Sequence, residues 1–202
     1  MKARMLSAAM VGLVLLGGCV PETGPTESPS PTITTPSSPT PLPSPRESPS
    51  PTAPSSFPPP PEGEDPEIAE IREAWEAYEK LIDRYYSDPS FRDLDSLNAV
   101  ATGEELTQRT LAILELDELN LQTHGSRVFR DVEFGEINTA DGGVPWVAVN
   151  YCLDPVDLKT VDLTSGEIVF EPDQTLRSEV YMERLPDGIW RVEAYRSEFA
   201  SC

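Results

Sequence analysis

The sequence predicts an α+β domain in which three helices precede an antiparallel sheet. Three observations carry this. Apolar residues recur at three- and four-residue steps from Ile68 to Tyr85. From residue 126 onward the pattern changes to strand-like runs, and two glycine-containing turns, Thr164-Ser165-Gly166 and Pro186-Asp187-Gly188, separate four of those runs. Helices gathered ahead of hairpin-joined strands describe α+β architecture, not alternating α/β units.

Asp65-Pro66-Glu67 is a helix start: an N-cap carboxylate, proline at the first helical position and an acid in the first turn. Ile68, Ile71, Trp75, Tyr78, Ile82 and Tyr85 then define an amphipathic helix over 66–87. Glu67, Glu70, Glu73, Glu76, Glu79 and Asp83 read as its solvated faces. Asp88-Pro89 repeats the start signal and predicts a short helix through about Val100, with Phe91, Leu94 and Leu97 inward. Thr102-Gly103-Glu104-Glu105 reads as a capping box for a third helix over 103–117, with Leu106, Leu111, Ile113 and Leu114 inward.

Strands are predicted at 126–137, 146–153, 160–163, 167–170, 176–185 and 189–195. In the last of these, Trp190, Val192 and Ala194 point one way, and Arg191, Glu193 and Tyr195 the other.

Seventeen of the 22 prolines lie between Pro21 and Pro66. Proline fixes φ and removes an amide donor, and the tract is poor in apolar residues, so 19–63 is predicted to be a disordered Pro/Ser/Thr stalk. The folded domain then spans 64–202. Ahead of the stalk, Lys2 and Arg4 precede an uncharged, mostly apolar run from Leu6 to Gly18. That run is shorter than the roughly 20 residues a spanning helix needs, and it suits the core of a signal peptide over 1–18. Leu16-Gly17-Gly18-Cys19 resembles a lipobox, which implies cleavage after Gly18 and lipidation of Cys19. Two acyl chains anchor a protein stably, placing this one on the extracytoplasmic face of a cell membrane.

With Cys19 assigned to lipid, Cys152 and Cys202 remain in the folded region, in a compartment where disulfides persist. They are predicted to pair; the alternative is a buried thiol at 152 and a loose one at 202. The charge balance, 35 acidic against 15 basic residues, disfavours nucleic acid and anionic headgroups as partners.

Little in the sequence points to chemistry. His124 is the single histidine, so no two-histidine metal site exists, and its polar surroundings predict a solvent-facing or locally bonded side chain. Asp154 with Asp157, and Asp141 with Asp173, lack the spacing of an EF-hand calcium loop. Gly142-Gly143 lacks the lysine and helix of a phosphate loop. Neither a metal, a cofactor nor a catalytic residue is predicted.

The helical start with Trp75 and Tyr78, the long strands after it and the closing Asp187-Gly188-Ile189-Trp190-Arg191-Val192 resemble the cone-shaped nuclear-transport-factor-2-like (SnoaL-like) superfamily. More narrowly, the chain resembles actinobacterial lipoproteins that join a lipobox, a Pro/Ser/Thr stalk and such a domain. The resemblance implies a curved sheet wrapped around the first helix, with a pocket at the open end. In that superfamily, isomerases and cyclases place an Asp base and a Tyr or Asp acid inside the cone. Here Tyr78, Tyr85, Asn150 and Glu179 are the candidate pocket residues. The expected role is a noncatalytic surface lipoprotein binding a small ligand or an envelope protein; the alternative is a small cofactor-free isomerase or cyclase.

Overall fold

A computed structural model describes residues 55–139 and 143–202. The signal peptide, Cys19 and most of the stalk lie outside the described residues. Within them, no helix is long and apolar enough to cross a membrane.

Three helices pack on a curved antiparallel sheet, as the sequence predicts; the sheet has five strands, because the strand expected at 160–163 is the end of a longer one. Helix α1 (Pro66–Ser87) starts where Asp65 accepts the Glu67 amide at 2.8 Å, a cap that contributes about 1 kcal/mol. A 3-10 turn (Leu94–Ser96) runs into α2 (Leu97–Val100), and α3 spans Gly103–Glu118. The strands are β1 (Leu121–Phe134), β2 (Trp146–Asp162), β3 (Ile168–Phe170), β4 (Leu176–Arg184) and β5 (Trp190–Phe199). They run in the order β1-β2-β4-β5, with β3 paired to the far end of β2. The inner face carries Val147, Val149 and Tyr151 from β2 opposite Met182, Val180 and Ser178 from β4, all buried against Ile71, Trp75, Tyr78 and Ile82 of α1.

Several expectations need correction. No helix starts at Asp88-Pro89. Asp88 Oδ1 instead accepts from Ser90 N at 2.9 Å and Ser90 Oγ at 2.6 Å, closing a turn that delays the helix to Leu94. Thr102 forms no side-chain cap; its amide donates to the Val192 carbonyl at 2.8 Å, and Glu105, its expected reciprocal partner, turns into the interior, only 3% exposed. Leu111 and Leu114 of α3 face solvent, the former 60% exposed; of the apolar residues expected inward there, Ile113 is the one deeply buried.

Strand β1 begins at Leu121, so His124 is a half-buried strand residue opposite Lys159, not a turn residue. The turn-like Gly125 is a bulge within the ladder. Its φ is +100°, and a Cβ there would lie 2.4 Å from the Asp157 carbonyl oxygen, so only glycine fits. Strand β2 likewise continues through Pro155 to Asp162, beyond its expected end at 153. A further bulge, at Glu193 of β5 opposite Tyr181 and Met182, reverses the predicted facing of Tyr195. The residue pairs with inward Val180, and its hydroxyl lies 3.0 Å from the buried Ser178 Oγ.

The packed body also starts before residue 64. Ser56 N donates to the Arg127 carbonyl and Ser56 O accepts from Phe129 N, both at 2.9 Å, along the open edge of β1. The Phe57 ring then stacks on Phe129, with centroids 4.6 Å apart, and meets Trp75 edge-on at 5.5 Å. One apolar ring among prolines is enough to fasten the stalk's end to the core.

Candidate functional site

The inner surface of the cone has a dry end and a wet end. At the wet end, a cavity of about 140 Å³ opens between α1, α3 and all five strands. Ile82, Leu153, Leu158, Phe170, Pro172 and Leu176 supply its apolar walls. Tyr78, Glu79, Tyr86, Arg109, Arg127 and Tyr195 supply the polar ones.

Helical spacing places Glu79 there. It follows Ile71 and Trp75 by eight and four residues, so it stands in the apolar stripe and not on the solvated face assigned to it above; it is 1% exposed. A buried carboxylate needs partners. Glu79 Oε1 accepts from the Tyr151 hydroxyl at 2.5 Å, and Oε2 from Arg127 Nη1 at 2.7 Å. Arg127 alternates with Phe129 along β1, which aims it inward. Its Nη2 also donates to the Glu79 carbonyl at 2.8 Å, and its Nε to Asp83 at 2.6 Å. Burial works against the Arg127 charge, but Glu79 and Asp83 more than offset this, holding its pKa above the usual arginine value.

A second relay lies beside the first. Tyr78 donates its hydroxyl to Glu105 Oε1, which also accepts from Arg109 Nε at 2.8 Å, while Arg109 Nη1 reaches the Tyr86 hydroxyl. The Tyr195 ring packs 5.6 Å from the Arg109 guanidinium. Burial first, and neighbouring carboxylates second, push the phenols of Tyr78 and Tyr151 well above their ordinary range, with Arg109 and Arg127 opposing; Tyr195 is raised as well, mainly by burial. All three stay protonated near neutrality. The cavity thus presents phenols and guanidinium groups, with its carboxylates bonded to them.

The four candidate pocket residues do not come together. Tyr78 lines the cavity. Tyr85 packs against Phe91 and donates its hydroxyl to the Asp93 carbonyl, bracing the turn after α1. Asn150 and Glu179 face each other across β2 and β4 on the sheet's other side, because their neighbours Val149, Tyr151, Val180 and Ser178 take the inner face. There they line a shallow depression with Arg177 and Arg196. The Cys152–Cys202 pair is a disulfide, with Cα atoms 6.0 Å apart, tying the chain's end to the outer side of β2. Asp154 is held by Arg130 at 2.6 Å, and among the described residues no cluster of three or more His, Cys, Asp or Glu could hold a metal. Sequence reading missed Glu79, Glu105, Arg109 and Arg127. For Glu79 the signal was present: an acid in register with the apolar stripe.

No family model and no curated protein matches the chain. Solved structures similar in backbone include the intermembrane-space region of the chloroplast protein ARC6, 13% identical, covering 68% of this chain and 98% of that one with a TM-score of 0.47. A periplasmic fragment of TraM is 15% identical, covering 66% and 98% with a TM-score of 0.45. ActVI-ORFA from Streptomyces coelicolor is 14% identical, covering 65% and 96% with a TM-score of 0.38.

Proposed function

We propose that this is a surface lipoprotein whose cone domain binds a small molecule in the cavity at its wet end and performs no chemistry on it. The observation that carries this reading is the cavity itself: apolar walls drawn from the helix and the sheet converge on side chains with donors to offer. Lipidation at Cys19 and display on the Pro/Ser/Thr stalk rest on the sequence signals at residues 2–19.

One observation favours the isomerase or cyclase alternative, the Tyr78 hydroxyl on Glu105. However, the same carboxylate oxygen is held by Arg109, and both Glu79 oxygens are already bonded. Each Glu79 oxygen keeps a second lone pair, so a general base there would act while still bonded to Tyr151 or Arg127. Binding without turnover asks only for the cavity and its donors, and it is the reading proposed.

Two measurements test it. NMR titration with one-ring organic molecules should shift methyl signals of Leu153 and Leu176 and leave Val144, far along the chain in a surface loop, unmoved. Absence of any such response removes the binding reading. For the anchor, a fatty-acid alkyne fed to producing bacteria should label the chain and keep it in the membrane fraction. Cys19→Ser should lose both, and a labelled, membrane-retained Cys19→Ser chain would refute lipidation there.

A further inference from the structure

We propose that the tip of the domain around β3 is a docking surface for a segment of a partner protein in which apolar side chains lie between lysines or arginines. This does not rest on the function proposed above, although Phe170 also borders that cavity.

Exposure singles out the tip. β3 is wholly apolar, and it is the one strand with no buried or half-buried residue. Leu119, Leu163, Ile168, Val169 and Phe170 are each 41–53% exposed. They lie on adjoining segments. Leu163 N donates at 2.9 Å to the carbonyl of Asn120, the residue after Leu119, and Thr160 and Val161, just before Leu163, pair with Phe170 and Ile168. Apolar residues exposed singly are ordinary. Five together, none of them part of the packed core, mark a surface that meets something.

The backbone there is open as well. Val169 has no residue opposite it on β2, and among the described residues no strand pairs with the far side of β3. A chain laid along that side would find main-chain groups to bond besides apolar side chains to cover.

Charge selects the occupant. Glu118, Asp162, Glu167 and Glu171 adjoin the five apolar residues in the chain. The bases at hand, Lys159 and Arg92, are each bonded to an acid already, Glu171 at 3.2 Å and Asp117 at 2.8 Å. A second copy of this chain would bring one acidic rim against another, and an anionic lipid surface would meet the same repulsion. A segment with basic residues on either side of an apolar centre complements both the rim and the patch.

Peptide titration tests this on the full-length Cys19→Ser chain, which takes up no lipid at that position. Three labelled peptides are compared by fluorescence anisotropy: KKLVILKK, EELVILEE and KKSGSGKK. The first should bind about tenfold more tightly than either of the others, and its binding should slow amide exchange at residues 168–170. Val169→Lys, at an exposed position outside the cavity lining, should weaken it about tenfold. Glu167→Lys should weaken it too, while tightening EELVILEE. Val149 should keep its amide protection in both variants, showing that the fold stands. Equal binding of KKSGSGKK would reduce the contact to charge alone, and equal binding of EELVILEE would remove the charge preference. Protection elsewhere than 168–170 would misplace the surface. Each of these overturns the proposal. So does dimerisation that slows exchange there, which would make a second copy the occupant, or uptake by phosphatidylcholine vesicles that Val169→Lys abolishes, which would make it lipid. No binding of KKLVILKK overturns it as well and leaves the cavity reading untouched.

Discussion

The dry and wet ends of the cone share a helix and a sheet face, yet they are held by different physics. At the dry end, Phe57, Trp75, Phe129 and the ring of Tyr151 pack with centroids 4.6–5.5 Å apart, mostly edge to face, and the Tyr151 hydroxyl reaches on to Glu79 at the wet end. One helical turn beyond Trp75, Glu79 begins the wet end, where Glu79 and Glu105 pair with Arg127 and Arg109 beside the phenols of Tyr78, Tyr86 and Tyr195. Ring packing loses stability gradually as atoms are removed. A buried ion-pair network loses it abruptly, because each group removed strands a partner without water. The proposed ligand cavity therefore sits where the fold is easiest to break by one substitution, beside a base that tolerates more.

The sharpest way to break that contrast is Arg127→Met. The change keeps most of the side-chain volume but leaves Glu79 and Asp83 without their guanidinium. Removing one member of a buried pair costs about 3–5 kcal/mol, whereas replacing both by apolar groups is often close to neutral. Urea unfolding should show a loss of that size for Arg127→Met, with much of it recovered in the double variant Glu79→Leu/Arg127→Met. A single-variant loss under about 1 kcal/mol would mean that the pair is solvated and that the two ends do not differ in kind.

Phe57→Ala probes the dry end. Full truncation of a buried phenylalanine costs about 3–5 kcal/mol, and Phe57 is only half-buried, so about 2–3 kcal/mol is expected. Amide exchange should also speed up at Phe129, whose N–H is bonded to Ser56, while Val149 and Val180 in the central strands keep their protection. Unchanged exchange at Phe129 would show that Ser55–Phe57 is not fastened to β1. The two expectations together place the larger loss at the wet end, even though Phe57 is the larger apolar group.

How much of this was legible depends on whether a residue's neighbours in sequence are also its neighbours in space. Helix α1 was read to the residue, since its cap and stripe are local. Both hairpin turns were read from their glycines, and the cysteine pair from counting within a compartment. Four features were not. Glu105 fits a capping box in sequence, but Tyr78 and Arg109 outbid the Thr102 amide for its carboxylate. Tyr195 changes face because one extra residue enters β5 opposite Tyr181, a shift that leaves no trace in composition. Arg109 and Arg127 carry no local signal, because their partners Glu105 and Glu79 reach them only through the fold. Phe57 lies in a tract whose average composition says disorder, and averages do not register a single anchoring ring.

The smallest expected effect concerns the phenols, and its sign separates the two ends. Tyr78 and Tyr151 have pKa values raised well above 10.0 in the folded protein, burial being the main cause. In the unfolded chain they ionise near 10, so above that pH the unfolded state releases protons that the folded state retains. Stability is thus fully present below pH 10 and declines as the pH climbs toward the folded-state values. Between pH 10 and pH 11 the loss should be about 1 kcal/mol for each such tyrosine. Phenolate absorbance should lag for these residues and appear only with unfolding. Replacing Tyr151 by Phe should remove one tyrosine's share of the alkaline slope while leaving Glu79 short of one hydrogen bond at every pH. A Phe57→Ala chain, changed only among the rings, should keep the full slope. If the Phe57 variant flattened the slope and the Tyr151 variant did not, alkaline sensitivity would belong to the aromatic base, and the division between a packed end and a paired end would fail.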